Sequence, residues 1–123
     1  MTERPMAWRW LSLHSATLLT FQCETLEQAR IGLLGRYEIS EGEALLLPVT
    51  EGLHTIGMLV TIDVAWLSDW PGRPDANLPV TPLDRLVLRA QRRVLPGRLL
   101  AKPAGATHAL ELRGGWLERH PVH

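Results

Sequence analysis

The apolar residues of this chain come in short runs, and that rhythm limits the fold more than any other feature. "TLLTFQC", "EALLLPV", "HTIGMLVTIDVAW", "RLVLRA" and "ATHALEL" are rich in Leu and β-branched residues. Gly, Pro, Ser and Asp interrupt them about every ten residues, which is the spacing of short strands joined by turns. Only "TLEQARIGLLGR" carries a clear helical period, with Leu26, Ala29, Leu33 and Leu34 on one stripe. Thr25 can cap it, Gln28 stands at the capping-box distance, and Gly35 can end it. Gly32 inside it predicts close packing of that helix face. The reading is a mainly β fold: a compact sandwich or barrel of about seven or eight short strands with one short helix near residues 25–35. Alternating βαβ units are excluded, because the helical segments are too few.

Individual segments refine this picture. "AWRWLSLHS" alternates, with Trp8, Trp10 and Ser12 on one face and Ala7, Arg9, Leu11 and Leu13 on the other. It predicts a strand, a turn near His14–Ser15, and a second strand. "EALLLPV" reads as a buried strand ended by Pro48, and "ATHALELRGG" as a strand ended by two glycines. "RLVLRA" and "RRVL" read as strands on either side of Gln91. Residues 69–84, "DWPGRPDANLPVTPLD", hold four prolines and read as a long loop, either a lid or an insertion. The tail 116–123 carries no predicted element.

The 123 residues fit one domain spanning 1–123. Thirteen basic residues balance 13 acidic ones, so no nucleic-acid partner is expected: phosphate binding draws on a basic excess. The single cysteine, Cys23, excludes an internal disulfide and a cysteine-based zinc site, and its apolar setting predicts a buried thiol. No run approaches the about 18–20 apolar residues of a membrane span. "LSLHSATLLTF" is too interrupted for a leader, so a cytoplasmic protein is expected, as a monomer or weak dimer. No metal or cofactor is predicted.

Several phrases, in order, resemble one family. "ARIGLLGR" (29–36), "ALLLP" (44–48), "LHTIGMLVTIDVAWL" (53–67), "VLPGR" (94–98) and "ALELRGG" (109–115) are similar to the phrases of the domain of unknown function DUF192. The match spans about residues 17–115. The resemblance implies a compact β sandwich or barrel with one short helix, and no established reaction. The chain departs from the pattern at Gly97, where an aromatic is common, in its long 69–84 loop, and in its tail.

His54, Asp63 and Glu111 are the acid/base candidates set inside apolar strand phrases. Together they could move a proton or ligate a metal, yet no H-E-x-x-H, G-x-S-x-G or phosphate loop accompanies them. If 54–66 were one regular strand, His54 would face the core side with Met58, Val60 and Trp66, and Asp63 the other with Thr55 and Thr61. The stretch reads equally as one kinked strand or as two, "HTIGMLV" and "TIDVAWLS", and a bulge or turn between Met58 and Thr61 would let His54 and Asp63 share a pocket. Otherwise Asp63 is read as a structural hydrogen-bonding partner for backbone or Arg that holds a loop, with Arg36 and Arg98 as the arginine candidates. Glu111 has the bland reading of an exposed strand position. Arg85, Arg89, Arg92 and Arg93 read as a charged strand edge. Among the tryptophans, Trp66 reads as core, while Trp70 and Trp116 could meet a planar ligand or sugar. His120 and His123 match no ligand motif and read as a flexible tail.

The function expected is that of a small non-catalytic β domain. A shallow cleft would take a small molecule or a protein, using His54, Thr55, Met58, Asp63, Arg36, Arg98, Glu111 and Trp70. One alternative is a hydrolase or isomerase using His54 with Asp63 or Glu111. Another is an interaction module using the 69–84 loop.

Overall fold

Nine strands and two short helical turns make up the described chain. In the computed structural model these residues are 7–25, 27–28, 39–69 and 79–122. The strands are β1 (Ala7–Leu13), β2 (Ala16–Gln22), β3 (Glu43–Pro48), β4 (Gly52–His54), β5 (Ile62–Leu67), β6 (Thr81–Pro82), β7 (Val87–Val94), β8 (Leu99–Ala101) and β9 (His108–Arg113). A 3-10 turn covers Asp84–Leu86, and one α-helical turn, α1, covers Trp116–Arg119. Seven strands form one sheet in the order β6-β1-β2-β3-β9-β5-β7, and β4 pairs with β8 in a separate two-stranded ladder. The fold is therefore mainly β, as the apolar rhythm predicts.

The first hairpin follows from its turn. His14 and Ser15 both have positive φ, 50° and 67°. A two-residue turn of that kind matches the right-handed twist of paired strands. The register Trp8↔Phe21, Trp10↔Leu19 and Leu11↔Leu18 then places the tryptophans on one face and Leu11 and Leu13 on the other.

Strands β3, β9 and β5 are the middle of the sheet and are buried on both faces. Every residue of β5 is buried. Ile62, Val64 and Trp66 join Leu45, Leu47 and Ala109 in a first core, which the β4–β8 layer covers through Leu53, Met58 and Leu100. Ala65 and Leu67 join Ala44, Leu46, Leu110 and Leu112 in a second core, closed by Leu11, Leu13, Leu83, Trp116 and Leu117. The sheet curls around this second core as a half-barrel. Cys23 is buried in the first core, as its setting predicts.

Several sequence expectations change. For 54–66, which reads as one kinked strand or two, the structure has a break. β4 ends at His54, Thr55–Thr61 turns, and β5 begins at Ile62. β7 runs unbroken through Gln91, because the Gln91 side chain accepts a 2.6 Å hydrogen bond from the Trp66 indole and fixes it against β5. Two register shifts with β5 mark bulges in β7. The end of the 69–84 loop is ordered as β6 and the 3-10 turn. Of the expected 25–35 helix, the described part shows its start. The Gln28 amide donates to Thr25 Oγ1 (3.1 Å), and the Gln28 side chain accepts from the Glu24 amide (2.8 Å). Residues 29–35 lie outside the described residues.

The tail is structured too. Trp116 is buried, and its indole donates to the Glu41 carbonyl at 2.9 Å. Arg119 forks onto the Glu41 carboxylate at 2.7 and 2.9 Å, holding that carboxyl below its ordinary pKa. His120 stacks on Trp116 with ring centroids 4.1 Å apart, so it is not a loose tail residue. Trp116 cannot line an open ligand site.

Candidate functional site

Thr55 joins the turn after β4 to the turn between β7 and β8. Its amide donates to the Arg98 carbonyl at 2.8 Å, and its carbonyl accepts from the Gly97 amide at 2.9 Å. The hydroxyl donates to the Leu95 carbonyl at 2.7 Å and accepts from the Arg98 amide at 2.8 Å. All four bonds gather on one buried side chain and its backbone. Gly97 adopts φ +81°, the left-handed turn that glycine tolerates best. The two segments are thus locked before the β4–β8 ladder starts. Along it, Gly52 faces Ala101 and His54 faces Leu99. Gly52 lies so close to β8 that a Cβ there would meet the Leu100 carbonyl oxygen at 2.3 Å.

This ladder forms one wall of a cleft of about 590 Å³. Its apolar lining is Pro48, Val49, Leu53, Leu99 and Leu100, and Glu24, Glu51 and His54 add polar groups. The Leu99 side chain stands 78% exposed beside it. Three more exposed aliphatics, Ile56, Leu59 and Leu95, sit on the two turns that Thr55 ties together. Soluble surfaces seldom cluster large apolar side chains this way without a use. Among the described residues, the lining carries two carboxylates and no Lys or Arg.

The predicted site residues separate into distinct places. His54 lines the cleft, and Thr55 and Met58 hold its framework, Met58 from within the first core. Arg98 is exposed beside it and binds Thr55 through its backbone. Asp63 is elsewhere. It points to the second-core side, fully buried, and accepts three backbone hydrogen bonds. Oδ1 takes the amides of Arg93 and Gly115, each at 2.9 Å, and Oδ2 takes the Leu117 amide at 2.8 Å. Of the two kinds of partner expected, backbone and Arg, the described residues supply backbone amides, and the Arg98 side chain does not hydrogen-bond it. Glu111 is fully buried, not an exposed strand position, because the face of β9 that carries it is covered by the first core. It lies opposite Leu45 and Val64, on the first-core face. The sheet therefore stands between the carboxylates of Asp63 and Glu111. The chain does turn after His54, as pocket sharing would need, yet His54 and Asp63 end on different sides of the sheet. Arg36 and Trp70 lie outside the described residues.

Arg93 shows what Asp63 is for. It occupies a bulge with φ +51°, a costly backbone conformation for a side chain with a Cβ. The Asp63 carboxylate fixes its amide, and its guanidinium bridges Glu118 at 2.8 Å. Arg89 and Arg92 are exposed on the same edge strand, which fits the charged-edge reading. Among the described residues, no group of three His, Cys, Asp or Glu side chains is placed to hold a metal ion. None of their helices is long and apolar enough to cross a membrane.

The sequence reading missed β8. "GRLLAK" is too short to score as a strand by itself, and its partner β4 has three residues. The available signal was the pair Leu99–Leu100 after the Pro96–Gly97 turn.

Known structures share this architecture. A crystal structure of a protein of unknown function from Novosphingobium aromaticivorans aligns with TM-score 0.66 at 15% identity, over 94% of this chain and 78% of that one. One of a "putative transcription regulator" from Sinorhizobium meliloti aligns with TM-score 0.63 at 15% identity, over 99% of this chain and 92% of that one. At such identity the likeness is one of fold. No family model and no curated protein matches the chain.

Proposed function

We propose that this protein is a non-catalytic binding domain whose partner sits in the cleft between the β3–β4 turn and β8. The observation that carries the proposal is the rigid, apolar wall at Leu99 and Leu100, rimmed by Glu24, Glu51 and His54 and fixed by Thr55. Burial of exposed leucines supplies the attraction. Two carboxylates, with no cation among the described lining residues, favour a partner that is aliphatic and basic, such as a Leu- and Lys-containing peptide. Concerted acid–base chemistry needs groups within about hydrogen-bond reach, and Asp63 shares neither a face nor a cleft with His54 or Glu111. We also propose kinship with DUF192, supported by the ordered phrases and chiefly by 53–67, and a cytoplasmic location.

A thermal-shift series with short basic–aliphatic peptides tests the binding reading, since a ligand of the native state raises the midpoint. The expected result is a shift in the wild type that Leu99→Asp abolishes and Glu51→Gln reduces. Shifts indifferent to both substitutions would sink the assignment of the cleft.

A further inference from the structure

One part of the first-core sheet face is left open, and it carries two tryptophans. The β4–β8 layer packs over residues of β3, β9 and β5, and Phe21 reaches the same cluster from the first hairpin. There, Trp8 and Trp10 stand 45% and 52% exposed. They are two residues apart on one strand, a stride of about 7 Å on a common face. Behind Trp8 lies Phe21, with ring centroids 3.5 Å apart, and Leu19 stands opposite Trp10. The next pair on the same face is Ser12 with Thr17. The surface thus passes along one strand pair from two indoles to two hydroxyls.

From this juxtaposition we infer a shelf for a neutral sugar chain, its pyranose rings lying on Trp8 and Trp10 and its hydroxyl edge reaching Ser12 and Thr17. The chemistry selects the ligand class. Among the described residues of β1 and β2, no charged side chain lies on this face: Arg9 pairs with Thr20 on the other. The neighbouring strand adds Glu43, opposite Leu19. A carboxylate accepts hydrogen bonds from sugar hydroxyls but repels phosphate. Single-stranded nucleic acid needs a basic track beside its stacking platform, and the bases of a stacked strand rise only about 3.4 Å each, half the indole stride. A pyranose ring instead offers an apolar C–H face to an indole and hydroxyls at its rim. That complements an amphipathic surface without net positive charge. Trp8 and Trp10 are spread along an extended strand, so the shelf suits successive rings of a chain better than one enclosed monosaccharide.

The test titrates the full chain with cellohexaose, following tryptophan fluorescence and the indole N–H resonances by NMR. Saturable binding is expected, weakened at least about tenfold by Trp8→Ala or Trp10→Ala. Trp10→Tyr should keep most of the binding, and so should Leu88→Ser on the far edge strand. Far-UV circular dichroism checks that each variant is folded. No binding up to about 10 mM sugar, or binding indifferent to both alanine substitutions, overturns the inference. So does a concentration-dependent dimer that the alanine variants abolish, because the face would then be an interface between copies of this chain.

Discussion

The Asp63 carboxylate and the Leu117 amide, 54 residues apart in the chain, meet at 2.8 Å in a fully buried position. With the amides of Arg93 and Gly115, that contact ties the start of β5 to the bulge in the neighbouring edge strand and to the C-terminal turn. The residue that looked most like chemistry is thus the anchor of the fold's last element.

Asp63→Ala should therefore unfold the tail before it touches any binding function. Two buried amides and the half-buried Arg93 amide would lose their carboxylate acceptor, and hydrogen bonds to charged groups are the stronger kind. The expected loss is about 3–5 kcal/mol, measured by urea unfolding. Near-UV circular dichroism should lose the Trp116 signal with it. Asp63→Asn keeps the shape and should cost less. Wild-type stability in Asp63→Ala would overturn this role.

Thr55→Val removes a hydroxyl while keeping the side-chain shape. The Leu95 carbonyl and the Arg98 amide would lose their buried partner. An expected cost of about 2 kcal/mol follows. Hydrogen exchange should quicken first at Gly97 and Arg98, and peptide binding in the cleft should weaken. Thr55→Ser should restore most of both. Unchanged exchange in the valine variant would mean that the two turns are held by something else.

Much of this architecture is legible in the sequence, and the parts that are not share a cause. Strands such as β3 and β9 announce themselves because burial demands uninterrupted apolar runs. The hairpin is readable because His14–Ser15 sits between two alternating segments. What sequence cannot show is which partner a short strand finds. β4 and β8 have three residues each, and they exist as a ladder only through contacts across more than forty residues. Asp63 is half legible. Its setting reads as a structural acceptor for backbone or Arg, and a turn before Thr61 is one of the two courses the stretch allows, but the donors themselves cannot be read. Its acceptors are filled by backbone amides, which carry no sequence signal. The site divides likewise: His54, Thr55 and Met58 could be singled out, whereas the leucine wall opposite could not.

Acid should weaken the fold from about neutrality downward, through His108. Burial lowers the pKa of this imidazole from the ordinary 6.5, against a smaller opposing pull from Asp69. The unfolded chain therefore takes up its proton before the folded one. Stability falls with falling pH wherever the unfolded state binds more protons, so the effect is absent well above pH 6.5 and develops as the pH drops below it. Urea midpoints of wild type and His108→Asn at pH 7.5 and 5.5 (about one unit either side of the ordinary histidine value) check the sign. The variant should lose less stability on acidification. A steeper loss in the variant would contradict it.

Gly52→Ala tests whether the cleft depends on close backbone approach. A Cβ at Gly52 would sit 2.3 Å from the Leu100 carbonyl oxygen, a backbone atom that cannot swing aside as a side-chain tip could. One strand must move from the other, and the ladder has only three residue pairs to resist it. Overpacking of this kind costs about 1–3 kcal/mol. The loss should be local, because the main sheet shares no ladder hydrogen bonds with β4–β8. Leu53 and Leu100 would shift off the first core, the cleft wall would change shape, and peptide-induced thermal shifts should shrink more than stability does. Gly42→Ala, where a Cβ meets nothing within 4 Å, is the matched control and should leave binding unchanged. If Gly52→Ala binds as the wild type does, the β4–β8 spacing does not shape the site, and the partner must rest on the exposed leucines of the two turns instead.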